Sequence, residues 1–135
     1  MNRKFDWLRE AEAELRTAQD LHRLGHYSWA CFTAQQSAEK ALKAILLHSS
    51  ARPTTHDMVD LLKAIVTKIK VPGDVVQAAN VLNRYYVATR CPDAFSSGAP
   101  AEKYSERDAK EATDLAKLVY DFCSATLGPA GPPTP

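Results

Sequence analysis

Two arginines and two tyrosines lie close together in Arg84-Tyr85-Tyr86-Val87-Ala88-Thr89-Arg90, and Cys91-Pro92-Asp93 follows directly. A guanidinium presents a planar fork of donors that suits phosphate, and a tyrosine ring can stack on a base. The segment therefore has the chemistry to hold both ends of a nucleotide. The same residues also admit a structural reading. Tyr86 falls on the apolar stripe of a helix, Arg90 complements the negative end of a helix dipole, and Asp93 pairs with an arginine or caps a turn. A second group is the polar row Gln35, Gln36, Glu39, Lys40 and Lys43. Glu39 precedes Lys43 by four residues, the favourable order for an ion pair along a helix. Gln36, Lys40 and Lys43 share a face. This row is either a polar groove or the solvated side of an amphipathic helix. The third candidate is His56, a residue type whose charge changes near neutral pH and which serves as a general base. Its sequence neighbours include no serine or cysteine placed as a nucleophile, so a histidine that secures a helix start is the alternative.

Other chemistries find little support. Cysteines stand at 31, 91 and 123, an odd number with no close pair, which suits free thiols in a reducing compartment rather than disulfides or zinc. His22 and His26 have the spacing of two metal ligands on a helix, but Gly25 between them predicts a helix end. No metal and no cofactor is expected. The chain has 135 residues, 45% apolar and 24% charged, with a formal charge of +1, so a broad polyanion-binding surface is not expected. No apolar run approaches the roughly 20 residues of a membrane span. The start of the chain carries charge at once and no apolar leader region, so a soluble, cytoplasmic protein without membrane contact is expected.

The elements that must position these residues are all helical. Leu8, Ala11, Leu15, Ala18 and Leu21 recur at intervals of three and four, predicting a helix from about 6 to 24 that stops at Gly25. Ala30, Ala34, Ala38, Ala41 and Ile45, widened by Phe32, Leu42 and Leu46, predict a second helix from about 28 to 48. Its broad apolar face and small alanines suit a central helix touching several neighbours. Met58, Leu61, Leu62, Ile65 and Ile69 mark a third, capped by Thr54 or Thr55 with Asp57 in its first turn. Val75, Ala79, Leu82 and Tyr86 mark a fourth, capped by Asp74 and stopped before Pro92. Residues 94 to about 104 are expected as a loop. Ala112, Leu115, Leu118, Val119 and Phe122 carry a fifth helix from about 105 to 127. No strand is predicted. The expectation is an all-α, up-and-down antiparallel bundle of about five helices forming a single domain over 1–127, with a flexible Pro/Gly-rich tail over 128–135.

Gly25-His26-Tyr27-Ser28-Trp29-Ala30-Cys31-Phe32-Thr33-Ala34-Gln35-Gln36-Ser37-Ala38-Glu39-Lys40-Ala41-Leu42-Lys43-Ala44 resembles the signature of the HEPN domain family. Thr55-His56-Asp57-Met58-Val59-Asp60-Leu61-Leu62 is similar to the family's T-H-x-L-x-x-L-L, and Leu82 to Asp93 to its L-x-x-Y-Y-x-x-T-R-Y-P-D. The resemblance spans about residues 6 to 125. It implies a helical bundle, a homodimer, a minimal nucleotidyltransferase partner in a two-component toxin–antitoxin-like module, and a nucleotide or RNA ligand. Tyr85, Tyr86, Arg90 and Asp93 match the third motif, and Arg84 adds a neighbouring basic group. Gln36, Glu39, Lys40, Lys43 and His56 match the first two as a polar groove or a structural signature. Many family members are metal-independent ribonucleases with a late arginine and a histidine separated from it by four to six intervening residues. Here the positions after Arg84 are Thr89, Arg90 and Cys91, and those after Arg90 are Phe95, Ser96 and Ser97. The usual catalytic pair is therefore missing, and no catalytic residue is assigned. A divergent ribonuclease using His56, or a purely structural dimeric module, are the alternatives. Arg16 and His22 have the spacing but fall on different faces of the first helix.

Overall fold

The computed structural model of the chain describes residues 2–53, 55–88 and 95–129. Its helices are α1 (Lys4–Arg23), α2 (Tyr27–His48), α3 (Met58–Val66), α4 (Gly73–Asn83), the single turn α5 (Tyr85–Ala88) and α6 (Glu106–Leu127), with a short 3₁₀ turn at Pro100–Glu102. The fold is all-α, a bundle of five principal helices.

The connection between α1 and α2 is local chemistry. Gly25 has φ +87°, its N–H donates to the carbonyl of His22 at 3.1 Å, and the N–H of His26 reaches back to Leu21 at 2.9 Å. This paired reach-back satisfies carbonyls that a helix end leaves open, and it needs the left-handed conformation that glycine adopts without strain. It folds α2 back along α1. Ala30, Ala34, Ala38, Ala41 and Ala44 on α2 and Ala11 and Ala18 on α1 are fully buried, as are Ala109, Ala112 and Ala116 on α6. Small side chains let the three long helices approach closely. Polar bonds then fix their register: Ser37 Oγ donates to the Ala11 carbonyl at 2.6 Å, and the Tyr120 hydroxyl to Glu12 at 2.8 Å. His22 Nε2 meets Glu106 at 2.6 Å, which ties it to α6 and away from Arg16, whose partner is Glu12.

The central place of α2 follows from its composition. It touches α1, α3, α4, α5 and α6. Leu42, Ile45, Met58, Leu61, Ile65, Leu82 and Val119 form the bulk of the core around it. The thiols of Cys31 and Cys123 are free and buried. Burial, with smaller contributions from Asp108 and Glu111, pushes the Cys31 thiol up to about 12.

Several boundaries differ from the sequence pattern. Asp57 is the N-cap of α3 rather than a first-turn residue, accepting from the N–H groups of Val59 and Asp60. α3 ends at Val66, and Ile69 packs on the core from the turn beyond it. Pro72 occupies the cap position of α4, with Asp74 inside its first turn. The fourth helix does not run through to Tyr86. It stops at Asn83, whose side-chain oxygen accepts from the Met58 N–H at 3.0 Å and so ties the end of α4 to the start of α3. Tyr86 consequently leaves the core stripe and is half-buried on the separate turn α5. Of the expected tail, Gly128 and Pro129 are described, and Gly128 ends α6 with φ +76°.

Candidate functional site

The polar row of α2 does not lie on a solvated face. Gln35, Glu39 and Lys43 are buried and Gln36 is half-buried. The side chains of Glu39 and Lys43 are 3% and 7% exposed, and Lys43 Nζ donates to Glu39 Oε2 at 3.1 Å. Removing two charges from water is costly, and a single contact rarely offsets it. Here the carboxylate collects further donors. Gln35 Nε2 reaches Oε1 at 3.3 Å, and His56 Nδ1 lies 3.0 Å from Oε2. The Lys43 ammonium also sits 5.5 Å from the centre of the Trp7 ring, a cation–π arrangement strengthened by the lack of water. Helical spacing places Gln35, Glu39 and Lys43 one turn apart on one edge of α2. The loop before α3 and the start of α1 close over that edge.

Beyond this cluster lies an open groove of about 460 Å³, lined by Thr55, His56, Asp57, Asn83, Arg84 and Tyr86. His56 stacks on Tyr86 with ring centres 6.0 Å apart and planes within 8° of parallel. One ring edge of His56 is held by Glu39, yet its side chain remains 65% exposed. Asp57 and Asn83 brace the groove floor: Asp57 caps α3, Asn83 Nδ2 approaches Asp57 Oδ1 at 3.4 Å, and its oxygen holds the Met58 N–H. Arg84 follows directly as the exposed C-cap residue of α4. The arrangement offers a guanidinium for phosphate, a stacked aromatic wall and a histidine edge, all beside one another.

The two tyrosines part company. Tyr86 joins the groove, whereas Tyr85 packs on the core with its ring edge-on to Tyr104 at 5.9 Å. Burial is the main reason that the Tyr85 hydroxyl is held well above the usual tyrosine range. Lys40 also points elsewhere. It bonds Glu14 on α1 at 2.6 Å and lines a second groove of about 310 Å³ with Arg3, Asp6, Trp7 and Glu10. Burial raises the Glu14 carboxyl although Lys40 opposes the shift, and Glu14 Oε2 is buried with no hydrogen-bond partner among the described residues. Gln36 turns to Gln35 at 2.6 Å. Arg90 and Asp93 lie outside the described residues. Of the ten residues singled out, the structure therefore gathers Arg84, Tyr86, His56, Glu39 and Lys43, and separates Tyr85, Lys40 and Gln36 from them. Asn83 and Trp7 were not foreseen. Asn83 had a signal in its place immediately before Arg84, at the end of a helix. Trp7 had none.

Among the described residues, no group of three or more His, Cys, Asp or Glu could hold a metal ion, and no helix is long and apolar enough to cross a membrane.

Comparison with known proteins points in one direction. The description "HEPN domain" matches residues 5–126. The protein named "Putative toxin MJ1304" from Methanocaldococcus jannaschii is 23% identical, over 90% of this chain and 89% of its own length. The crystal structure of TT1696 from Thermus thermophilus superimposes with a TM-score of 0.87 at 46% identity, covering 91% of this chain and 97% of that one. That of ST0689, described as an archaeal HEPN homologue, superimposes with a TM-score of 0.80 at 34% identity, covering 95% and 100%. With the family description spanning nearly the whole helical bundle and these structures sharing its architecture, the chain belongs to the HEPN domain family.

Proposed function

We propose that this chain is the nucleotide- or phosphate-binding component of a two-component toxin–antitoxin-like module, acting as a homodimer in the cytoplasm with a minimal nucleotidyltransferase as partner. The single observation that carries the ligand reading is the groove that brings Arg84, Tyr86 and His56 together. In this reading Arg84 and Arg90 contact phosphate, Tyr86 with His56 borders a base, and Asp93 orients an arginine. Tyr85 supports the wall from the core side rather than touching ligand. The name of the Methanocaldococcus relative supports the module reading. Calorimetric titration with nucleotides and short RNAs tests the ligand part. Binding by the wild type that weakens strongly in Arg84→Ala and Arg90→Ala is expected. No binding, or equal binding by both variants, removes it. Capture of a small nucleotidyltransferase on the tagged chain from its native host tests the partner.

A second reading is favoured by one observation, the presence of His56 and Arg84 in the same groove. It makes the protein a divergent metal-independent ribonuclease with His56 in the place of the missing histidine. Cleavage of single-stranded RNA in the presence of a chelator, lost in His56→Ala, is its test. An uncleaved RNA under those conditions leaves the binding role.

A further inference from the structure

We infer that Glu39 is a positioning residue that locks the His56 ring in one tautomer and makes Nε2 the ligand-facing hydrogen-bond acceptor of the groove, so that the site selects ribonucleotides over nucleotides lacking ribose hydroxyls. The inference rests on the nucleotide reading above and names the substrate class of that same groove.

The argument starts from a triangle of atoms. Glu39 Oε2, Lys43 Nζ and His56 Nδ1 lie 3.0 to 3.4 Å from one another. Lys43 supplies only donors and an ionised carboxylate only acceptors, while a ring nitrogen is either. An unprotonated Nδ1 would set two acceptors against each other at 3.0 Å, in a place where Glu39 is 2% exposed. A protonated Nδ1 turns that contact into a charge-assisted hydrogen bond, the stronger kind. The longer 3.4 Å approach of Lys43 to the ring then needs no bond, since Lys43 already has Glu39 and the Trp7 face. In a neutral imidazole a proton on Nδ1 leaves the lone pair on Nε2. The same carboxylate–histidine relation orients ring nitrogens at metal and catalytic sites. Nδ1 is directed into the protein, so Nε2 lies on the opposite side of a ring that is 65% exposed and lines the groove. The parallel stack on Tyr86 fixes the ring plane. The ligand thus meets a donor at Arg84 and an acceptor at His56. A phosphate satisfies the first, and an adjacent ribose hydroxyl satisfies the second.

Two measurements test this. Long-range proton–nitrogen correlation spectra of the full chain, at a pH where the ring is neutral, report the tautomer directly. A dominant Nδ1–H form that is lost in Glu39→Gln is expected, whereas a dominant Nε2–H form, or a tautomer unchanged in a folded Glu39→Gln, overturns the positioning role. A residue that only stabilised the bundle would alter melting and leave the tautomer as it was. The second measurement is titration with adenosine 5′-monophosphate and its 2′,3′-dideoxy counterpart. A preference of about three- to tenfold for the ribonucleotide is expected from one hydrogen bond. His56→Phe keeps an aromatic ring on Tyr86 and has no ring nitrogen, so the ratio of the two affinities should lose the preference, whatever the overall affinity becomes. Equal affinities in the wild type, or a preference that survives in His56→Phe, overturns the ribose assignment. Failure of both nucleotides to bind overturns the nucleotide reading itself and the ribose assignment with it, and the spectra alone then decide the role of Glu39.

Discussion

Glu39 is the residue on which the site depends, because its carboxylate is the common partner of Gln35, Lys43 and His56. Truncating it would strand the Lys43 ammonium, which is 7% exposed, without a counter-charge. Glu39→Ala is therefore expected to cost about 3–5 kcal/mol of stability, read by urea unfolding. Replacing the ammonium as well, in Glu39→Ala with Lys43→Met, should recover part of that loss, since an unpaired buried charge costs more than its absence. Additive losses would show that the two groups do not act as a pair. Glu14 behaves in the opposite sense. Burial raises its carboxyl above the ordinary value of 4.5, against the pull of Lys40. A raised folded value means that the folded state binds the proton more tightly, so Glu14's favourable contribution is complete below 4.5 and is lost as pH rises through the folded value. Wild type should gain stability relative to Glu14→Gln as pH falls from neutral towards 4.5, in thermal melts across that range. A constant difference between the two would contradict the shift.

At the scale of elements, α6 is the helix whose start rests on a single polar exchange. Ser105 Oγ accepts from the Asp108 N–H at 3.3 Å, and Asp108 Oδ2 accepts from the Ser105 N–H at 2.9 Å. Reciprocal caps of this kind satisfy donors that a helix start leaves open. Ser105→Ala should lower stability by about 1 kcal/mol without altering the fold, seen as a shifted unfolding midpoint with an unchanged slope. This start was legible in the sequence because the turn-rich stretch before Ser105 gives way at once to a helical apolar stripe. The faces of α1, α2 and α6 were legible for the same reason, since Leu8, Ala11, Leu15 and Ala18 repeat at a spacing that only a helix buries together. The burial of Glu39 and Lys43 was not. Periodicity assigns polar residues outward, and what lies over them is decided by Trp7 and His56, which are remote in sequence. The placement of Tyr86 failed similarly. Its spacing continues the α4 stripe, but Asn83 bonds across to α3 and the helix ends there. The residue types of the late segment were legible in the sequence, and the placement of Arg84 beside His56 required the fold.

Under the nucleotide-binding role proposed above, charge sets how the whole molecule would meet an RNA. The net charge is +1, and part of the exposed charge is taken up by short-range pairs within helices. Arg3 and Arg9 face Asp6, Arg16 faces Glu12, Arg23 faces Asp20, Lys110 faces Asp114 and Lys117 faces Asp121. Such pairs add little stability at the surface, and with the balanced net charge they keep the overall field that a polyanion would follow weak. Arg84 takes part in no ion pair among the described residues. A ligand with phosphates should therefore engage the groove locally. Each phosphate neutralised on a single strand contributes about −0.7 to the slope of log K against log salt, so contacts from Arg84 and Arg90 alone give about −1.4. Affinity should then stay flat as a single-stranded RNA is lengthened past the few nucleotides that fill the groove. Fluorescence anisotropy over a salt series, repeated with oligonucleotides of increasing length, checks both statements. A slope several times steeper, or affinity that climbs with length, would mean that a broad basic surface forms, and the groove would no longer account for binding.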